Sequence, residues 1–523
     1  MKRPPIQSRN AMRGAACLIV FACMVLSGRA VEADGLKPAT FAHYVERFNT
    51  MEDENFTNTI PNAGAWDWMQ KEIPLFECPD KEVEEMYYFR WWSYRKHLVQ
   101  TPTNGWVITE FLTPVRHAGI FNTISCATGF HISEGRWLRD TNYVSDYIMF
   151  WLRSDDGTAQ PLFHKYSSWF AASVYDYYLA TGDKSLTTNL LTDLVADYQA
   201  WEQEHLTTNG LFWQFDVRDG MEESISGSRK DKNLRPTINT YMFANAQAIA
   251  AIARLAGEEK AAAIFDAKAA KLKKLVLEKL WDAKADFFEV RHEDGTFSGA
   301  REEIGFIPWM FDLPDAGKKY DAAWRQLEDT KGFSAPAGLT TAERRHPQFR
   351  SHGTGNCEWD GAVWPFGTCE TLYGLANVLR EGKSGAVSVR DYFDNFMTYV
   401  HSQHADGKPY IGEYHDEVTG DWINGKGGRS RYYNHSTFAD LLITGVVGLQ
   451  PRADATVEIQ PLLPAGTWDW FCLQDVPYHG HLLTICWDKD GSHYGRGQGL
   501  SVLADGKEIA RGEKLAKLTG KLP

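Results

Sequence analysis

Apolar residues recur at three- and four-residue steps along most of the chain between about residues 80 and 450. This is the spacing of amphipathic helices, which bury one stripe of side chains. The predicted helices cover 81–99, 141–153, 163–183, 184–206, 238–257, 259–281, 361–381, 386–403 and 434–450. Short turns join them in pairs, and longer loops rich in Gly, Asp, Trp and Arg separate the pairs. This alternation favours helical hairpins arranged around a ring, with the long functional loops on one face.

The pattern changes after Pro451. Short runs of β-branched and apolar residues follow, separated by turn signals, as in "ATVEIQPLL", "HLLTICWD" and "GLSVLADGKEIAR". We therefore expect a helical domain over residues 34–450 and a small β domain over residues 451–523. The chain contains no sequence repeat of fixed length, so an ordinary solenoid is not favoured.

The first 33 residues have the three parts of an export signal. Basic residues precede an apolar run over 14–26, which is too short to span a bilayer as a folded helix. The segment "VEA" at 31–33 suits cleavage before Asp34. We expect a protein that is exported to the periplasm or secreted, with no membrane span after the signal is removed. A retained membrane anchor is the alternative interpretation.

The composition narrows the classes of partner. The chain has 523 residues, a net charge of −13 and 19 tryptophans. No basic run or Arg-rich stripe follows the signal, so a nucleic-acid partner is not expected. The many tryptophans indicate either a large packed core or a surface on which flat rings stack, and sugar faces are common partners of such a surface.

Six of the eight cysteines lie beyond the signal, at spacings that match no zinc motif. Some of them can pair in an oxidising compartment. Cys472 and Cys486 lie on adjacent predicted strands, so they are the pair that we expect.

Two acidic loops lie far apart in the sequence, each between two predicted helices. They are "DVRDGMEE" at 216–223 and "KPYIGEYHDEVTGDWINGKG" at 408–427. Glycoside hydrolysis needs two carboxyl groups, because one acid protonates the leaving oxygen and one carboxylate activates water or attacks the sugar. The acid must stay protonated near neutrality, and Met221 and Glu223 give Glu222 an apolar neighbour and a second negative charge. A solvated turn or a calcium site is the alternative for either loop.

Two further loops, at 129–140 and 352–367, contain side chains that suit a sugar pocket. Tryptophan rings stack on sugar rings, whereas Arg and Asp bind hydroxyl groups through directed hydrogen bonds. The candidate binding residues in these loops are Arg136, Trp137, Trp359, Asp360 and Trp364. The structural alternative is a helix start, with Asp360 as the N-cap and the tryptophans in the core.

Three segments, in order along the chain, resemble a known family: "DGMEESISGSR", "CEWDGAVWPFGTCETLYGLANVL" and "GEYHDEVTG". They resemble the trehalase-type and glucosidase-type glycosidases of glycoside hydrolase families 37 and 63, and most of all the mannosylglycerate-hydrolase-like branch. The resemblance spans roughly residues 120–465. The segment "WDGAVWP" is similar to the family's Gly-Pro-Val-Trp-Pro, with Ala362 where the family often has proline. The resemblance implies a mainly α fold, an (α/α)6 toroid of helical hairpins.

The resemblance also implies roles for two residues. The family's general acid lies in a Gly-aliphatic-Asp motif, and Glu222 in "GME" occupies the matching position. The family's base is a Glu before an aromatic residue in a late loop, which matches Glu413 before Tyr414. The family inverts the anomeric configuration, which requires carboxyl groups roughly 6.5–9.5 Å apart. Neither motif matches at every position, so the alternatives that stay open are Asp219, Glu223 and Glu417.

The sequence thus predicts an exported, exo-acting, inverting glycoside hydrolase with a carbohydrate substrate. Glu222 is the predicted general acid and Glu413 the predicted general base. The predicted sugar pocket contains Arg136, Trp137, Trp359, Asp360, Trp364 and Tyr414. No organic cofactor and no catalytic metal are expected, although a structural Ca²⁺ suits either acidic loop. The oligomeric state stays open.

Two other functions stay open as well. Polysaccharide lyases and unsaturated uronyl hydrolases also use helical toroids, and a lyase recruits a Tyr or His base, for which His131, His352 and His415 are candidates. An unsaturated product that absorbs ultraviolet light would identify the lyase. A non-catalytic carbohydrate-binding protein would bind sugar without turnover, and its two glutamates would not face one cleft.

Overall fold

A computed structural model describes residues 35–54, 59–154, 163–353, 357–424 and 428–523. The predicted export signal, residues 1–33, lies outside these ranges. Within them, no helix combines the length and the apolar composition that crossing a membrane requires.

Helices make up most of the described chain before residue 450, and they form the α/α toroid that the sequence predicts. The α-helices are α1 (Ala42–Asn49), α2 (Ala65–Glu72), α3 (Lys81–Lys96), α4 (Thr128–Gly135), α5 (Asn142–Arg153), α6 (Phe170–Thr181), α7 (Lys184–Asn189), α8 (Leu191–His205), α9 (Asp216–Asp219), α10 (Pro236–Ala256), α11 (Glu259–Lys279), α12 (Ile307–Met310), α13 (Pro365–Glu381) and α14 (Val389–Ser402). A π-helix covers Leu441–Val447, and the longer 3₁₀ segments are Glu303–Phe306 and Lys319–Gln326.

Burial separates an inner ring of helices from an outer ring. Every residue of α4 and of the π-helix is buried, as expected for helices that face both the barrel axis and the outer ring. The outer helix α11 packs on α10 and buries a single stripe at steps of three and four residues. That stripe consists of Ala262, Phe265, Ala269, Leu272 and Val276.

The inner helices begin at one end of the toroid and finish at the other. Trp364, directly before α13, and Cys126, just before α4, line a cavity at the first end. Arg136, directly after α4, and Arg380, in the last turn of α13, line a cavity at the second end. Loops that lead into inner helices therefore meet at the first end, which we call the mouth.

Some helices differ from the apolar pattern at their bounds. The helix predicted over 163–183 begins only at Phe170, because Ser167 is held in a loop by a 2.6 Å hydrogen bond from its hydroxyl to Asp219. The helix predicted over 184–206 is interrupted at Leu190. The helix predicted to end at residue 450 stops earlier, at Gly448, whose left-handed conformation (φ of 89°) closes the π-helix.

The predicted C-terminal β domain is present, and its main sheet also takes a strand from near the N-terminus. The described strands are β1 (Leu75–Glu77), β2 (Leu98–Thr101), β3 (Gly105–Ile108), β4 (Trp281–Asp282), β5 (Phe287–Phe288), β6 (Ser334–Ala335), β7 (Gly338–Leu339), β8 (His404–Ala405), β9 (Lys408–Pro409), β10 (Tyr414–His415), β11 (Trp422–Asn424), β12 (Leu449–Gln450), β13 (Thr456–Ile459), β14 (Trp470–Tyr478), β15 (His481–Asp488), β16 (Gly499–Ala504), β17 (Lys507–Gly512) and β18 (Leu518–Lys521).

The main sheet has the order β1-β14-β15-β16-β17 and is antiparallel throughout. Its edge strand β1 places Leu75 opposite Gln474. Strands β12, β13 and β18 form a second sheet. Cys472 and Cys486 lie directly opposite each other on β14 and β15 and are disulfide-bonded, which confirms the predicted pair.

Candidate active site

A cavity of about 270 Å³ lies at the mouth of the toroid. Its lining residues are Glu110, His117, Ile124, Cys126, Tyr166, Val217, Gly220, Glu222, Cys357, Trp359, Trp364, Phe366, Glu413, Arg429, Tyr433 and His435. The two acidic loops predicted to meet there do so, since Glu222 comes from the first and Glu413 from the second. A third carboxyl group, that of Glu110, also faces the cavity.

The loop after α9 presents Glu222 to the cavity. Gly220 ends α9 in the left-handed conformation, and the Met221 N–H then donates to the Asp216 carbonyl at 3.1 Å. The Met221 side chain is buried, and Glu222, the next residue, lines the cavity. Burial raises the pKa of Glu222 to about 7, and the negative charge of Glu413 adds to the rise. The raised pKa favours the protonated form of Glu222 near neutrality.

Glu413 is buried and held by several donors. Its Oε2 accepts hydrogen bonds from the Ser430 hydroxyl and from Asn424 Nδ2, both at 2.6 Å. Its Oε1 lies 3.4 Å from Arg429 Nη2 and 3.7 Å from Cys357 Sγ. Burial raises the pKa of Glu413, whereas the Arg429 charge and these hydrogen bonds favour the ionised form. The two glutamates thus have different surroundings within one cavity.

Two of the three alternative carboxylates pair with arginines. Asp219 is fully buried and pairs with Arg235 at 2.5 Å. Glu223 pairs with Arg229 at 3.2 Å, and both side chains are partly exposed. Neither these two residues nor Glu417 is among the residues that line the described cavity. The geometry therefore favours Glu222 and Glu413 over all three alternatives.

Trp359 and Trp364 form one wall of the cavity. Their rings stack with centroids 4.7 Å apart, and Tyr414 continues the stack behind Trp364 at 4.8 Å. Both tryptophans are almost completely buried, with exposures of 2% and 3%. The sequence leaves open whether these rings belong to the pocket or to the core. In the structure both rings are buried and both line the cavity.

Asp360 and Tyr414, which the sequence predicts in the sugar pocket, are not among the residues that line the described cavity. Asp360 pairs with Arg350 at 2.5 Å, and the Tyr414 ring stacks on Trp364. Asp360 is not a helix cap either, because Trp364 holds the N-cap position of α13 without a side-chain hydrogen bond. These two residues support the wall and its loop from outside.

Arg136 and Trp137, also predicted to shape the sugar pocket, are not among the residues that line the described cavity. They follow the last residue of α4, and the eight residues of this helix place them about 12 Å from its start at the mouth. Arg136 Nη2 pairs with Asp440 Oδ1 at 2.7 Å, and Trp137 Nε1 donates to the same oxygen at 2.6 Å. Their role in the structure is to join α4 to the start of the π-helix.

Two aromatic residues of the site, Tyr433 and His435, are not among those that the sequence predicts. They precede the π-helix, and their rings stack with centroids 4.0 Å apart. His435 Nε2 lies 3.1 Å from the Glu413 carbonyl oxygen, and burial lowers the His435 pKa to about 3, so the ring is neutral. The run "YYNHS" directly before an inner helix is a usable signal, because the other loops at the mouth also contain aromatic residues.

The acidic loops show no arrangement that suits a cation. None of the described residues belongs to a group of three or more His, Cys, Asp or Glu side chains positioned to hold a metal ion. In the second acidic loop, Asp416 Oδ1 accepts the N–H groups of Val418 and Thr419 at 2.9 and 2.7 Å. That oxygen therefore stabilises the turn itself.

A helical toroid whose mouth holds a pair of carboxyl groups beside stacked tryptophans has the architecture of a six-hairpin glycosidase. Residues 121–436 match the mannosylglycerate hydrolase MGH1-like glycoside hydrolase domain, and residues 451–511 match the C-terminal domain of glycosyl hydrolase family 65. Because the first match covers more than half of the chain, the chain belongs to the MGH1-like glycoside hydrolase family.

Solved structures agree with this assignment. The chain is 51% identical to a protein described as a sialidase, over 93% of this chain and 45% of that chain, with a TM-score of 0.90. It therefore spans less than half of that protein's length. A GH63 mannosylglycerate hydrolase from Thermus thermophilus has a TM-score of 0.50 at 13% identity, over 69% of this chain and 98% of that chain. A GH78 rhamnosidase from Bacillus sp. GL1 has a TM-score of 0.55 at 15% identity, over 79% and 40%. The last two share the fold.

Replacing Arg136 tests whether it supports the fold alone. Arg136→Ala is expected to lower the free energy of unfolding by about 3–5 kcal/mol, because it leaves Asp440 buried without its cation. Urea unfolding measures this loss. The matched control is Arg254→Ala, which removes an exposed pair with Asp266 and should cost about 0–1 kcal/mol. A stable Arg136→Ala protein with impaired sugar binding would contradict the reassignment.

Proposed function

We propose that the protein is an exported, exo-acting glycoside hydrolase that inverts the anomeric configuration. The observation that carries this proposal is that two carboxyl groups, from loops nearly 200 positions apart in the sequence, face one cavity with different surroundings. Glu222 has its pKa raised to about 7, which suits a proton donor, whereas Glu413 lies beside a cation.

One proton is transferred on each side of the sugar ring: one is donated to the leaving oxygen, and one is removed from the attacking water. Glu222, in its protonated form, donates to the glycosidic oxygen as the bond to the anomeric carbon breaks. Glu413, ionised beside Arg429, accepts a proton from a water molecule whose oxygen attacks the opposite face of that carbon. At the end of the cycle Glu222 is ionised and Glu413 is protonated, and exchange with solvent restores both. Trp359 and Trp364 form an apolar wall on one side of the ring.

The size of the cavity supports exo action. Ligand pockets usually measure about 300–1,000 Å³, so a cavity of about 270 Å³ is small. Trp359, Trp364 and Phe366 close it on the side of α13. Such a cavity suits one terminal sugar residue better than the middle of a polysaccharide, which needs a groove open at both ends.

The charges of the cavity favour a neutral sugar. Three carboxyl groups line it, and its arginine, Arg429, already pairs with Glu413. A sugar that carries a carboxylate would need a cation of its own, and the described lining offers no second arginine and no lysine. We therefore propose that this toroid removes a neutral sugar residue, and that the name of its sialidase relative describes that longer protein rather than this site.

The other candidate functions have less support. Among the histidines considered for a lyase, His131 bonds to Tyr147 and to the Asn434 carbonyl, and neither His352 nor His415 lines the cavity. A uronate would also need a cation, and the arginine among the described lining residues is already paired. A non-catalytic role is disfavoured because both glutamates face the same cavity.

Export has independent support. The disulfide between Cys472 and Cys486 is typical of proteins that fold in an oxidising compartment. We expect the mature protein to begin at Asp34 after removal of the signal. N-terminal sequencing of the protein from its native host measures this directly, and a chain that retains Met1 in the cytoplasm would contradict export.

Product analysis tests the substrate class and the stereochemistry. We expect hydrolysis of at least one neutral α- or β-glycoside in a panel of aryl glycosides, and none of an aryl sialoside. Proton NMR during the first minutes should show the anomer opposite to that of the substrate. The same anomer would overturn the inverting mechanism, and release of sialic acid would overturn the neutral-sugar assignment.

Glutamine substitutions separate the two catalytic roles. Glu222→Gln should lower turnover of a substrate with a poor leaving group by about 10²–10⁴-fold, because the amide cannot give up a proton. A glycosyl fluoride of the same sugar needs little protonation and should be much less affected. Glu413→Gln should slow both substrates, since each requires activated water. Glu223→Gln is the matched control and should leave both rates unchanged.

The pH profile should divide in the same way. The wild-type rate should fall as pH rises through about 7, because Glu222 then loses the proton it must donate. It should also fall at acid pH, where Glu413 is protonated. Glu222→Gln should remove the basic limb and Glu413→Gln the acidic limb. Mild, equal effects in both variants would count against this assignment.

A further inference from the structure

Glu110, the third carboxyl group of the cavity, has no part in the proposed mechanism. It follows strand β3, and backbone hydrogen bonds fix it on both sides. Its N–H donates to the Asn122 carbonyl at 3.0 Å, and its carbonyl accepts from the Asn434 N–H at 3.1 Å. Asn434 Nδ2 also donates to the Thr109 carbonyl at 3.1 Å. The backbone therefore cannot turn the Glu110 side chain away from the cavity.

The side chain itself is only half-satisfied. Glu110 has 0% exposure to solvent, and its Oε1 accepts a hydrogen bond from the Tyr433 hydroxyl. Its Oε2 is buried and has no hydrogen bond of normal geometry within the described part of the chain, although the residue lines the cavity. A buried oxygen without a partner is destabilising, so its presence beside a cavity points to a ligand that satisfies it.

The protonation state decides which ligand group fits. Burial raises the pKa of Glu110 to about 8, and the negative charge of Glu413 adds to the rise. The Tyr433 hydroxyl, the Ile124 N–H and the Arg429 charge oppose that rise. Because Oε1 accepts from Tyr433, the proton of the neutral acid lies on Oε2, which becomes a donor. The titratable groups around Glu110 are Tyr147, Tyr166, Cys126, Tyr433, Glu413 and Arg429.

We propose that Glu110 is a substrate-binding residue, which donates a hydrogen bond from Oε2–H to one hydroxyl oxygen of the sugar in the cavity. This rests on the proposed function, since it concerns the same substrate. It adds that the enzyme selects sugars with a free hydroxyl group at one ring position. A sugar lacking that hydroxyl would leave the buried O–H without a partner, and binding would be weaker for that reason.

The protonation state can be measured without any substrate. Carboxyl carbons of the full chain labelled with ¹³C-glutamate are followed by NMR against pH, and Glu110→Gln identifies the resonance of Glu110. We expect Glu110 to be protonated at pH 7 and to titrate near pH 8. An ionised Glu110 at pH 7 would overturn the proposal. The matched control is Glu289→Gln, which removes another buried glutamate that lies outside the cavity.

Specificity is tested with the glycosyl fluoride that the wild type hydrolyses fastest and with its monodeoxy analogues. We expect one analogue to have kcat/KM lower by about 10- to 100-fold. Glu110→Leu should abolish this discrimination at that ring position alone, whereas Glu110→Gln, which keeps a weaker donor, should retain part of it. Glu289→Gln should behave as the wild type. Thermal unfolding of each variant shows whether the Leu protein is folded, and the Gln variant decides the outcome if it is not.

Two results separate this proposal from the proposed function. If Glu110→Gln loses activity on aryl glycosides and a fluoride substrate restores it, Glu110 is the general acid, and the binding role is overturned. If no substrate is hydrolysed at all, the proposed function fails, and the role of Glu110 is then tested by sugar binding without turnover. Addition of the free neutral monosaccharides should then shift the Glu110 carboxyl resonance for at least one sugar, and no shift with any of them would overturn the proposal.

Discussion

The common direction of the inner helices is the constraint on which the rest of the structure depends. Because these helices all begin at the mouth, every loop that enters one of them is brought to the same place, however far apart the loops lie in the sequence. Helix N-termini carry partial positive charge, which favours acidic side chains nearby. The opposite end receives the arginines that follow or end the inner helices, Arg136 and Arg380, where partial negative charge collects.

The sequence was sufficient for the fold because apolar periodicity reports burial directly. It was less informative about the site, because periodicity does not show at which end of a helix a residue lies. Arg136 and Trp137 have the chemistry of sugar-binding residues, yet eight helical residues separate them from the mouth. Glu222 and Glu413 can be recognised as candidates from the sequence, because acidic runs between helices are unusual. Glu110 cannot be recognised in this way, because a single Glu after a short strand resembles an ordinary loop residue until tertiary contacts bury it.

The cavity also shows how one type of side chain acquires different properties. Three glutamates cannot all be ionised in so small a volume, so their neighbours determine where the protons lie. Glu413 receives an arginine, a hydroxyl and an amide, which favour its charge. For Glu222 and Glu110, burial and the negative charge of Glu413 favour the protonated forms. The family assignment alone would not reveal this division, since it depends on side chains from several separate loops.

The pairing of β1 with β14 affects the order in which the chain can fold. Leu75 pairs with Gln474, so β1 can join the sheet only after β14 has formed. The Leu36 N–H also donates a hydrogen bond to the Gln474 side chain at 2.7 Å. Pairing across most of the chain is slow, because a very long loop has to close. Until then β14 presents an unpaired edge, the kind of surface on which chains aggregate. We therefore expect the contacts of Leu36 and β1 with β14 to form late in folding. Cutting the chain at residue 450 would separate β1 from β14 and leave the edge of β14 unpaired.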